Sequence, residues 1–438
     1  MASKSPLALA SAAKVLLQAA PALARPLSTT AAVLEPTSKA ARFTLEPAGA
    51  KFPHGFLATG LHCGVKKDPT KLDLGVIISD RPCSAAAMFT KNAFQAAPVT
   101  VSKAVLASGN GTARGIVVNS GCANAVTGAG GLKDAQAMAD RLDGFLAASS
   151  SSSATGTLVM STGVIGQRLP IDKILAGITA STATLGSTYS AWSDAAKAFM
   201  TTDTFPKLRT RAFELAGKEV RMVGIDKGAG MIHPNMGPPG PLHATLLGMI
   251  ATDANVSPAG LQAALTYAVD RSFNSISVDG DMSTNDTIVV LANGASGAKL
   301  VGTIDESPED FVKFRDELTD FAAELAQLIV RDGEGATKFV KISVNVGFLV
   351  CTLLCSPFLT SLLRTGRPDV RRRAQDRLYH LDLVARQDSL TRRGRQLGPY
   401  PLRGRLRAAC RLRGRPDQGQ RRVHPRGRVR PAPPARRR

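Results

Sequence analysis

Short apolar runs rich in β-branched residues recur through the first three quarters of the chain and alternate with stretches of helical period. Residues 74–79 (LGVIIS), 115–119 (GIVVN), 157–160, 220–225 and 287–291 (TIVVL) are predicted strands. Residues 132–147 and 258–273 are predicted helices, and the clearest helix is Pro308–Arg331. There Phe311, Phe314, Leu318, Phe321, Leu325 and Leu328 fall on one face at a spacing of three to four, which marks a core stripe. Ser307 is placed to cap it, Pro308 suits its first position, and Glu309 and Asp310 suit the positive end of its dipole. A serine-rich loop at 149–153 interrupts the pattern. The mixture predicts an α/β or α+β body without dictating the order of its strands.

Charge divides the chain. Its 438 residues carry a formal +21, which by itself suggests nucleic acid or a membrane surface. From Val344 onward there are 24 Arg, no Lys, five Asp and no Glu, a net of +19; the remainder holds 31 basic and 29 acidic residues. The body is therefore nearly neutral. The stretch from 344 to the end admits three readings: a nucleic-acid-binding arm, a solvated tail, or translation of GC-rich coding DNA in a shifted frame. RGR triplets beginning at Arg393, Arg403, Arg413 and Arg426 favour the first; the lack of Lys favours the third. At the junction, 345–363 is an apolar burst, marginal in length for a membrane span and broken by Pro357.

Residues 1–34 contain no acid, and Lys4, Lys14 and Arg25 are spread through Ala, Ser and Leu. That is the composition of a mitochondrial transit peptide. The six cysteines are scattered without a CxxC pair, so neither zinc nor a disulfide framework is expected.

No phosphate loop, dinucleotide fingerprint, HExxH or GxSxG occurs. What the body has is six polar, Gly- and Thr-rich loops, most of them beside a predicted strand: 119–125 (NSGCANA), 161–166 (STGVIG), 201–204 (TTDT), 227–236 (KGAGMIHPNM) continuing to 244–248 (ATLLG), 279–286 (DGDMSTND) and 333–338 (GEGATK). Together they suggest one pocket built from loops. The acidic loop lacks the Gly and Glu of a calcium-binding EF-hand, having Thr284 and Val290 there, so its Asp and Asn are expected to hold turns. Thr245 follows a small residue. A threonine hydroxyl needs a base, and one solution is to release the threonine's own α-amine, of pKa about 8, by backbone cleavage.

In order and wording these loops resemble the glutamate N-acetyltransferase / ornithine acetyltransferase family of arginine biosynthesis, in its fungal mitochondrial form, over about residues 40–343. The resemblance implies a layered αββα sandwich. It also implies self-cleavage between Ala244 and Thr245, into an α piece (35–244) and a β piece beginning at Thr245, assembled as two of each. Thr245 would be the nucleophile, Thr162 and Gly163 the oxyanion hole, and Thr201 (or Thr202), Lys227, Thr245 and Glu334 the substrate contacts. Acetyl would pass from N2-acetylornithine to glutamate, with acetyl-CoA as an alternative donor in many members. No cofactor, metal, nucleic acid or membrane is expected; a related N-terminal-nucleophile amidase is the alternative.

The sequence departs from the family twice. Residues 237–243 (GPPGPLH) are inserted before the cleavage point, as in fungal members. After about Val344, where the family continues with a DANWGR-like motif and further substrate contacts, nothing matches. That favours the shifted-frame reading of 344–438 and bears on whether the chain is active.

Overall fold

A single long strand organises the molecule, which is described by a computed structural model over residues 38–149, 156–239 and 246–343. The predicted transit peptide, most of the serine-rich loop, Ala244 with Thr245, and the Arg-rich stretch lie outside these residues. The strands are β1 (Phe56–Leu61), β2 (Leu74–Thr90), β3 (Thr112–Cys122), β4 (Thr157–Val164), β5 (Lys207–Leu215), β6 (Lys218–Lys227), β7 (Met236–Gly237), β8 (Leu247–Thr252) and β9 (Thr287–Ala292). They form one sheet in the order β4-β3-β2-β9-β8-β6-β5, with β1 and β7 also on β2.

The first part of β2 pairs with β1 and β3, and its last part, from Ser84, pairs with β9. Between them the register against β3 shifts from Ile78 to Cys83. Pro82, which has no N–H to give a ladder, falls inside that break. This explains why the apolar pattern predicts a strand ending at 79: the polar and small residues DRPCSAAA disguise its second half.

Beyond the break, the side chains of the two half-sheets alternate between an inner core and two outer ones. Ile116, Val118, Leu158 and Met160 share the inner core with Ile225, Met249, Val289 and Leu291. On one outer face Val117 and Val159 pack against Met138 and Leu142 of α3 (Gly128–Ala148) and Ile174 and Ile178 of α4 (Ile171–Ser181). On the other, Met222, Ile288 and Val290 pack against Leu261 and Leu265 of α6 (Pro258–Arg271) and Phe314, Leu318 and Phe321 of α7 (Pro308–Arg331). Helix, sheet, sheet, helix is the αββα sandwich that the resemblance implies. Three further helices, α1 (Lys39–Phe43), α2 (Ala97–Ser108) and α5 (Tyr189–Phe199), complete the described α-helices; Trp192 and Phe199 of α5 are in the inner core.

Helix α7 has the predicted bounds, and all six stripe residues are buried. Ser307 does precede it, but its hydroxyl accepts from Gly302 N (3.3 Å) instead of capping the helix. The charged strand β5 (KLRTRAFEL) has no apolar signature because it is an edge. Its Arg209 and Arg211 pair with Glu324 and Glu317 of α7.

Candidate active site

The six loops meet at the ends of strands, tied in two groups. In the first group, Asn285 Nδ2 donates to Ala123 O (2.7 Å) and Ser161 O (2.8 Å). Ser161 Oγ donates to Asn119 Oδ1 (2.6 Å), and Asn119 Nδ2 donates to Cys122 O (2.8 Å). These bonds fix residues 119–125, 161–166 and 283–287 against one another. The acidic loop behaves as turn chemistry predicts: Asp279 accepts from the backbone N–H groups of Met231, Ile232 and Asp281.

In the second group, Asp203 accepts from Thr201 N (2.9 Å), Gly228 N (2.8 Å) and Lys207 Nζ (2.5 Å). The same Lys207 ammonium reaches Asp332 at 2.7 Å, and Asp332 in turn accepts from the backbone N–H and the hydroxyl of Thr204. Glu334 N donates to Ala229 O (2.7 Å). Residues 201–204, 227–230 and 332–334 are thereby held around one buried cation.

Lys227 joins the groups: its Nζ donates to Thr162 Oγ1 at 3.0 Å. Burial lowers its pKa, opposed chiefly by Asp203. Burial alone would raise Asp203, but the Lys207 and Lys227 ammoniums outweigh it and hold the carboxyl below its usual range. Lys207 is likewise disfavoured by burial, yet Asp203 and Asp332 leave its pKa raised. Two further carboxyls behave oppositely. Burial pushes Asp226 and Asp286 well above the usual carboxylate value, and among the described residues neither oxygen of Asp226 nor Oδ1 of Asp286 has a hydrogen-bond partner. Neutral acids fit such sites.

Gly163 has φ +127°, and a Cβ there would lie 2.3 Å from the carbonyl carbon of Gly121, its ladder partner on β3. Only glycine fits. Thr162 and Gly163 thus stand at the fixed end of β4, with Thr162 Oγ1 against Lys227. The Thr204 hydroxyl is consumed by Asp332, whereas no described residue bonds the hydroxyls of Thr201 and Thr202. Glu334 is exposed and lies against Gly230, where a Cβ would sit 2.6 Å from its carboxylate. Thr245 and Ala244 are outside the described residues, but Leu246 O accepts from Thr287 N at 2.7 Å, and Leu247 stands opposite Lys227 in the β6–β8 ladder. The chain resumes, then, at this site.

The structure brings Thr162, Gly163, Thr201, Lys227 and Glu334 into one neighbourhood. Sequence reading misses Asp203, Lys207 and Asp332, because nothing in their spacing announces that they share a charge network. Burial raises the pKa of Cys122, the cysteine of the 119–125 loop, which disfavours its thiolate.

Residues 57–347 match the ArgJ family. The chain belongs to the ArgJ family. It is 64% identical over 308 residues to the mitochondrial arginine biosynthesis bifunctional protein ArgJ of Postia placenta, covering 68% of this chain and 66% of that protein. The protein of the same name from Coprinopsis cinerea is 58% identical over 323 residues, covering 71% of this chain and 68% of that protein. The chain therefore spans about two thirds of the length of these ArgJ relatives. The crystal structure of the ArgJ protein from Bacillus halodurans is 38% identical, with a TM-score of 0.38, covering 42% of this chain and 92% of that one.

With its hydroxyl on the Lys227 ammonium, Thr162 is the group whose loss tests this geometry most directly. Thr162→Val is expected to lower acetyl transfer on the order of 10²-fold while the thermal unfolding midpoint stays within a few degrees. Steady-state rates and a melting curve on the same preparation check both halves.

Proposed function

We propose that the chain is an acetyltransferase of arginine biosynthesis, acting in the mitochondrial matrix, that moves acetyl from N2-acetylornithine to glutamate through an acetyl-threonine at Thr245. The observation that supports this best is the Lys227–Thr162 bond joining two groups of loops, at the strand end where the chain resumes after Thr245. Membership of the ArgJ family and the mitochondrial relatives support the pathway and the compartment. So does the acid-free composition of residues 1–34.

In this reading the peptide bond between Ala244 and Thr245 breaks first, giving the α piece 35–244 and a β piece whose first described part is 246–343, assembled as two of each. The freed α-amine takes the proton from the Thr245 hydroxyl as its oxygen adds to the acetyl carbonyl. Negative charge then develops on that carbonyl oxygen, where Thr162 and Gly163 stabilise it. The C–N bond breaks, the leaving nitrogen takes the proton, and ornithine departs. Glutamate's amine attacks the acetyl ester in the reverse sense, and the threonine hydroxyl is restored. The Lys227 ammonium suits the α-carboxylate common to both amino acids, the Glu334 carboxylate suits the cationic end of ornithine, and Thr201 offers a hydroxyl.

Product analysis with labelled N2-acetylornithine tests the proposal. With glutamate present, label is expected in N-acetylglutamate. Label appearing only as free acetate, with or without glutamate, would replace the transferase by a hydrolase of the same architecture. An acetyl-CoA arm measures whether that thioester can also load the threonine.

A further inference from the structure

The pocket faces a recognition problem that Lys227 alone does not solve. The two amino acids of the proposed reaction share an α-carboxylate, but glutamate ends in a carboxylate and ornithine in an ammonium. We propose that Lys66 supplies a second cationic contact to the pocket and selects glutamate's side-chain carboxylate over ornithine's ammonium. This rests on the acetyl-transfer reading and deepens it.

Lys66 lies on the loop between β1 and β2. Asp73 shapes that loop by accepting from the backbone N–H groups of Cys63 (2.6 Å), Gly64 (3.2 Å), Val65 (2.8 Å) and Lys66 (2.8 Å). Held this way, the Lys66 stem runs along Gly121, where a Cβ would come within 3.2 Å of its Cγ. Gly121 is the ladder partner of Gly163. The ammonium then donates to Leu72 O (2.6 Å) and to Met200 O (2.8 Å), the carbonyl immediately before Thr201. One side chain thus spans from the Gly121–Gly163 pair to the Thr201 loop.

An ammonium has three N–H bonds. Two of them are used among the described residues, and the side chain is only partly buried, so the third can meet a ligand. The charged groups around it are Asp73 and Asp203, which are acidic, and Lys71 and Lys227, which are basic. Asp73, which accepts from four backbone N–H groups and lies 3.2 Å from His62 Nδ1, is the charged group that acts on Lys66 most strongly. Burial lowers the Lys66 pKa to about 8.

The experiment is calorimetric titration of L-glutamate and of L-ornithine into the full chain, as wild type, Lys66→Met and Lys66→Arg, at pH 7 and pH 9. Lys66→Met is expected to weaken glutamate binding at least roughly tenfold and to leave ornithine unchanged or tighter. Wild type should lose glutamate affinity between pH 7 and 9, because with a pKa of about 8 the side chain is mostly cationic at pH 7 and mostly neutral at pH 9. Lys66→Arg should keep affinity and remove most of that loss. Ornithine is the control for any titration of Lys227, which meets the carboxylate both ligands share. Equal weakening of both ligands in Lys66→Met, or no effect on glutamate, would overturn the selectivity role; Lys66→Arg, melting like wild type, guards against misfolding as the cause. A wild-type chain that binds neither amino acid would overturn the acetyl-transfer reading as well.

Discussion

The expressed chain is expected to run on a denaturing gel as two pieces broken before Thr245, and the Thr245→Ala chain as one. Self-cleavage by this route needs the side-chain hydroxyl to add to the carbonyl of Ala244, moving the chain from nitrogen to oxygen; water then splits the ester and leaves a free α-amine. Alanine has no oxygen to begin this, and it also lacks the nucleophile for transfer. Loss on the order of 10⁴-fold or more is expected, as for other enzymes deprived of their nucleophile. Thr245→Ser should still cleave and transfer. The fold tolerates the break, because the next strand is held on both sides: Leu247–Thr252 pairs with β6 and β9 along its whole length, and all six residues are buried. A cut in front of β8 frees a terminus without freeing the strand. Mass spectrometry of both pieces locates the break. An intact wild-type chain with full transferase activity would end the assignment of Thr245 as an N-terminal nucleophile.

What the sequence reveals follows from what kind of signal each feature leaves. Helix α7 is legible because its stripe has one period and one partner surface, and its predicted ends are the observed ones. The inner strands are legible as β-branched runs, since both their faces are buried. Strand β5 leaves no such trace: an edge strand that reaches a helix through Arg209 and Arg211 looks like a solvated segment. The second half of β2 is hidden by its alanines and by Pro82 at the register break. For the site, the loops stand out by their glycines and threonines, and the structure gathers all six. Asp203 and Asp332 lie 129 positions apart and meet only through Lys207. Long-range charge networks leave no local pattern, so no spacing rule could have found this one.

That network sets the second large effect. Lys207 is fully buried, as are the carboxylates of Asp203 and Asp332 that it bridges. Removing one member of such a set is far more costly than never building it, because the remaining charges keep their desolvation penalty and lose their counter-charge. In Lys207→Met, Asp203 and Asp332 would face each other with Asp226, whose pKa burial raises, nearby. Their alternatives are to bind protons or to admit water, and either disturbs Thr201 N, Gly228 N and Thr204, which these carboxylates hold. A loss of about 3–5 kcal/mol is expected. It is best read from urea unfolding in the Thr245→Ala background, where the chain stays whole, with parent and variant compared at the same protein concentration. Asp203→Asn and Asp332→Asn added to Lys207→Met should recover part of the loss by removing both stranded charges. Recovery should be incomplete, since one amide oxygen cannot replace the two carboxylate oxygens that serve Thr201 and Gly228. An unfolding free energy for Lys207→Met within about 1 kcal/mol of the parent would mean that the two acids are already neutral in the folded protein. In that case the lysine would be a packed side chain and no longer the cation around which the three loops are held.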